Sequence, residues 1–156
     1  MADDHRLATP SHDLYDEDFF LWTQAQAKAL RAKGKAGEID WETVAEEIED
    51  MGKSDLRECY SRVETIIEHL FKLAWSKRQE PRAGWEETIV RERVAIEKVL
   101  TRSLQRQVET NLAKRHATAL MLAERSFLQN EPQALRDHSL RWTLPQILGE
   151  ADDPIA

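Results

Sequence analysis

The chain has 156 residues, of which 41% are apolar and 33% charged, with five Gly, five Pro and a net charge of −7. A chain of this length buries about 68–70% of its unfolded surface on folding, so one domain can hold its own core, and the composition excludes a disordered or low-complexity protein. One cysteine, Cys59, allows no internal disulfide, and no run approaches about 18 apolar residues, so the chain reads as cytoplasmic with no membrane span.

The acidic start MADDHRLATPSHD, residues 1–13, reads as a flexible N-terminus without an apolar leader core. LYDEDFFLWTQAQAKALRAK then opens with acids and closes with bases, the order the helix dipole favours, with Asp16 as the expected N-cap and Gly34 as the stop. Phe19, Trp22, Ala29 and Leu30 share one face of that helix. Phe20 and Leu21 fall outside it, and are either packed by a second layer or exposed as an interface.

IDWETVAEEIEDMGKSD, residues 39–55, carries seven carboxylates beside Lys53. Helical spacing puts Trp41, Val44, Ala45, Ile48 and Met51 on one side and Glu42, Glu46, Glu47, Glu49 and Asp50 on the other. A helix is expected here between an Asp40 N-cap and Gly52 as the C-terminal glycine. Ser54 then reads as the cap of a separate third helix, in which Leu56, Cys59, Tyr60, Val63, Ile66, Ile67, Leu70 and Ala74 repeat at three and four. This face is the widest in the chain and predicts the spine of the core.

SKRQEPRAG reads as a loop, and a fourth helix is expected from Trp85 to about Leu100. A fifth runs from a Ser103 cap through Leu104, Val108, Leu112, Ala119 and Leu122 to Phe127. In WTLPQIL, Thr143 and Gln146 make a capping box around Pro145, which predicts a short helix ending near Gly149. Residues 150–156 read as a flexible tail. No alternating strand pattern appears, so the expectation is an all-α, single-domain helical bundle of five main helices plus a short C-terminal helix.

Charge is unevenly distributed. Residues 1–71 carry 8 bases and 17 acids, 72–115 carry 11 and 6, and 116–156 carry 3 and 6. The acidic total argues against a nucleic-acid binder, while the basic middle keeps a local patch at 72–115 in view.

The chemistry-bearing motifs fail one by one. Carboxylate-bridged di-iron bundles need Glu-x-x-His pairs, yet the residues three before His5, His12, His69, His116 and His138 are Ala2, Thr9, Ile66, Ala113 and Leu135. Zinc spacings, the EF-hand loop, Gly-rich phosphate loops and the nucleophile elbow are also missing. No catalytic, metal or cofactor-binding set emerges, and no cofactor is expected. Cys59 reads as a small buried hydrophobe. Two residues stand out as ligand or buried-charge candidates. Glu92 interrupts the apolar face of Ile89, Ile96, Val99 and Leu100 and needs a basic partner there, or else marks a site. His69 lies opposite its helix's apolar stripe, beside Thr65 and Lys72, as a surface histidine or part of a pocket. The five tryptophans read as packing anchors.

The stretches LYDEDFFLWTQAQAKALRAK, IDWETVAEEIEDMGKSD, HLFKLAW, WEETI from Trp85, and WTLPQIL resemble a bacterial family known as domain-of-unknown-function family 29. The resemblance implies an all-α bacterial protein with no established activity. The leading expectation is a non-enzymatic protein-interaction or self-associating helical protein, a homo-oligomer or the partner of another protein, with Phe20 and Leu21 or the charge blocks at the interface. Two alternatives stand beside it: a regulatory nucleic-acid or toxin-type partner binder acting through 72–115, and a small-ligand pocket or enzyme around Glu92.

Overall fold

The computed structural model describes residues 12–34 and 39–156, so the expected flexible stretch 1–13 lies almost wholly outside the described residues. Among the described residues seven helices follow in order: α1 His12–Glu17, α2 Phe19–Ala32, α3 Trp41–Trp75, α4 Arg82–Glu97, α5 Arg102–Thr110, α6 Leu112–Asn130 and α7 Leu144–Leu148. Among the described residues there is no strand, and the protein is all-α. No helix of the described residues is long and apolar enough to cross a membrane.

The chain divides into two compact units, Met1–Arg57 with Thr101–Gln105 and Glu58–Leu100 with Arg106–Ala156. In the first, the N-cap of α2 is Asp18 rather than Asp16, its Oδ1 accepting the Leu21 N–H at 2.9 Å. Gly34 ends the turn as expected, at φ +67°, where a side chain would be strained. Phe20, Thr23 and Ala27 form the buried face of α2, so of the two residues set outside the predicted face Phe20 is packed and Leu21 is 47% exposed.

The largest departure from sequence expectation lies at Gly52. The predicted stop at Gly52 and restart at Ser54 do not occur: α3 is one 35-residue helix. The reason is packing rather than propensity. A Cβ on Gly52 would stand 2.1 Å from Thr23 Oγ1 and 3.2 Å from the Phe20 ring, so the glycine lets α2 lie against the backbone of α3. Its helix cost of about 1 kcal/mol relative to Ala is offset by that close approach. Arg31, at the other end of α2, reaches Glu42 and Glu49, each at 3.0 Å, which sets α2 antiparallel to this part of α3.

In the second unit the later half of α3 is the spine that its spacing predicts. Cys59, Val63, Ile66, Ile67 and Phe71 are fully buried, joined by Ile89 of α4, Val108 of α5, Ala119 and Ala123 of α6 and Ile147 of α7. Ala74 does not join them; Leu73 and Trp75 take the inward positions. An aromatic chain runs through this core, with Trp75 at 5.0 Å from Phe71 and 5.4 Å from Phe127, and Phe71 edge-on to Trp142 at 4.9 Å.

The predicted fifth helix is interrupted at Asn111, whose φ −103° and ψ 9° leave the helical region. Its side chain donates to the Gln107 carbonyl at 2.9 Å, a local bond that competes with helix continuation. The break shifts the phase of α6, so His116, Ala119, Ala123 and Phe127 face inward and Leu122 is 40% exposed instead of buried. α4 begins three residues before Trp85, at Arg82, and α7 forms as expected, with the Thr143–Gln146 capping box and Gly149 at φ +76°.

Candidate functional site

α3 and α4 bring the two residues singled out from sequence into one neighbourhood of the second unit. Arg62 bonds Glu58 one turn before it and Glu92 on α4, both at 2.8 Å. Glu92 thus has the basic partner that its place on an apolar face demands. Two turns further along α3, the half-buried His69 donates from Nδ1 to the Thr65 carbonyl at 2.8 Å, which leaves Nε2 as the acceptor. Burial pushes the His69 imidazole below its ordinary pKa, and Lys72 adds to the effect. The Thr65 bond and the charges of Glu68 and Glu92 act the other way. Lys72 itself pairs with Glu68 at 2.6 Å.

This row has charge but no assembled acid–base pair. Glu92 hydrogen-bonds Arg62, not His69, and His69 spends one ring nitrogen on its own helix. A general base must be aimed at a substrate proton from a space that admits substrate. Two clefts of this unit have neither Glu92 nor His69 in their walls. One, of about 430 Å³, has Arg78, Trp85, Phe127, Asn130 and Glu131 in its wall, and Glu131 is already held by the Ser76 hydroxyl at 2.8 Å. The other is a groove of about 570 Å³ along α6, lined chiefly by Ala117, Leu120, Met121 and Leu128, with Glu124, Arg125 and His138. Among the described residues no group of three or more His, Cys, Asp or Glu is arranged to hold a metal ion.

The acidic stretch 39–55 resolves into helix chemistry. Asp40 accepts from the Thr43 N–H at 3.2 Å and hydroxyl at 2.8 Å, as an N-cap does. Glu42 and Glu49 are shared by Arg31, and Lys53 ties Glu49 and Asp50 at 3.2 and 3.4 Å. The bases come from α2 and α3 of the same unit. The basic segment 72–115 spends many of its cations within its own unit too. Arg82 donates to the Leu73 and Ser76 carbonyls, Arg93 to the Gln146 and Ile147 carbonyls and to Asp153, and Arg115 to Glu64.

The family described as Domain of unknown function DUF29 matches residues 14–151, from α1 to just beyond α7. The chain belongs to this DUF29 family. It is similar in structure to an α-helical protein of unknown function from Rhodospirillum rubrum, with a TM-score of 0.78 and 25% identity over 93% of this chain and 95% of that one. No curated protein matches it. Two residues of this DUF29 chain went unnoticed in sequence. His116 is 3% exposed, donates from Nε2 to the Trp142 carbonyl at 2.9 Å and stacks on the Trp142 ring. Its three- and four-residue spacing to Ala119, Ala123 and Phe127 was the available signal. Arg93 carried none, because its partners lie more than fifty residues away.

Proposed function

We propose that this protein is a non-enzymatic interaction module of the bacterial cytoplasm whose first partner is a second copy of itself. The supporting observation is the division of roles on the second unit. Many of its ionisable side chains are drawn into intramolecular pairs, while apolar side chains of α6 line an open groove, with Met121 64% and Leu128 59% exposed. An enzyme site requires the reverse, with titratable groups converging on a cavity. Large apolar side chains gathered on one exposed face mark an interaction surface. Of the cations on which binding of nucleic acid through 72–115 would rest, Lys72, Arg82, Arg91, Arg93 and Arg115 already have partners, so that alternative has less support.

Sedimentation velocity over a hundredfold concentration range tests the reading. A sedimentation coefficient that rises with concentration is expected, and a single monomeric boundary throughout would reject it.

A further inference from the structure

The groove on α6 has a pattern that reads alike from both ends. Met121, Glu124, Arg125 and Leu128 lie on one helical face, spaced at three, four and seven. The midpoint between Glu124 and Arg125 is also the midpoint between Met121 and Leu128, which stand about 10.5 Å apart along the axis at 1.5 Å per residue. A twofold axis through that point, with two α6 helices antiparallel, sets Met121 against the partner's Leu128 and Glu124 against the partner's Arg125, each contact occurring twice. Isologous pairing requires such a self-complementary patch.

The charges are placed to serve it. Arg125 is exposed and has no hydrogen bond or ion pair among the described residues. Glu124 meets Arg136 and His138 through the same oxygen, Oε1, and its Oε2 accepts no hydrogen bond among the described residues. Ala117 and Leu120 extend the apolar part of the groove by one turn. We infer that two copies of this chain associate through antiparallel α6 helices, Met121 and Leu128 forming the apolar contact and Glu124 and Arg125 the reciprocal ion pairs. The inference rests on the self-association reading and specifies its surface. A stripe about 16 Å long on a helix about 10 Å across covers much less than the about 800 Å² per partner of a standard interface, so the dimer is concentration-dependent rather than obligate.

The test is a charge exchange followed by sedimentation of the full chain. Arg125→Glu places four carboxylates at the axis and raises the dimer dissociation constant at least about tenfold. Glu124→Arg does the same with four cations, circular dichroism confirming that the chain still folds. An equimolar mixture of the two restores both ion pairs and recovers dimer. Leu128→Lys weakens association by putting a charge into the apolar contact. If the unaltered chain is monomeric at every concentration, the self-association reading falls and this inference with it. If it associates but Arg125→Glu and Leu128→Lys leave the affinity unchanged, the reading stands and the α6 pairing is overturned. Weakening in both without recovery in the mixture overturns the antiparallel register.

Discussion

Asp18 accepts a 2.6 Å hydrogen bond from the Ser103 hydroxyl, across 85 residues of sequence, while the same carboxylate caps α2. It also accepts from the Ser103 N–H at 2.9 Å and the Thr101 hydroxyl at 3.0 Å, so one buried acid serves the first turns of both α2 and α5. Burial pushes this carboxyl up, but the bonds from Ser103, Leu21 and Thr101 together outweigh it and hold the group below its ordinary pKa. Asp18→Ala removes a cap and orphans an N–H, and is expected to cost about 2–4 kcal/mol in urea unfolding. The folded pKa lies below the unfolded value of about 3.9, so the stabilisation is present above that value and disappears as pH falls through the folded pKa. Asp18→Asn should flatten that acid limb; an unchanged slope would show that other carboxylates set it.

Gly52 separates two explanations by the sign of one substitution. As an ordinary interior helix position, Gly52→Ala would raise stability by up to about 1 kcal/mol. Against Thr23 Oγ1 at 2.1 Å from the new Cβ, it is expected to destabilise by about 1–3 kcal/mol. Thr23→Ala removes the clashing hydroxyl, so the double variant should lose less than the two single effects combined, a coupling that thermal or urea unfolding can measure. Additive losses would place the strain elsewhere.

Arg93 fastens the last residues to α4. Its guanidinium donates to both Asp153 oxygens at 2.9 Å and to the carbonyls of Gln146 and Ile147, at the end of α7. The Arg93 bonds are the main reason the Asp153 carboxyl sits below its usual range, burial opposing them. Arg93→Lys keeps the charge but cannot reproduce the planar fork, and a loss of about 1–3 kcal/mol is expected. Amide exchange should show the loss first at Ile147–Glu150, where the α7 cap unravels. Uniform protection across α7 in the variant would refute the fastening role.

What sequence made legible was local, and what it hid was contact at a distance. The Thr143–Gln146 capping box, the Gly149 stop and the three-four face of Val63, Ile66, Ile67 and Leu70 need only neighbouring residues for their physics, and all appear as expected. Gly52 carries the same local signal as a helix terminator, and only Thr23 packed against it shows that it serves close approach. Asp18 was one of several acids before α2, chosen by a hydroxyl 85 positions away. Glu92 was recognisable as an acid in need of a base, whereas the identity of that base, Arg62, lies in the pairing of α3 with α4.

His116 and His69 give the near-neutral pH response its sign. Burial is the leading cause of the downward shift in both, and neither backbone bond, to Trp142 or to Thr65, reverses it. Their folded pKa values therefore lie below the unfolded value of about 6.5, and the unfolded chain binds more protons as pH falls through that region. Stability from the neutral imidazoles is complete above about pH 6.5 and declines as pH drops towards the folded values. The buried Nδ1 of His116 has no hydrogen-bond partner among the described residues, so protonation there gains none. His116→Gln should lower stability at pH 7.5 through the lost Trp142 contact, yet reduce the fall in urea midpoint between pH 7 and 5. If the variant keeps the full wild-type slope, His116 is not among the groups that set it, and His69→Gln becomes the discriminating substitution.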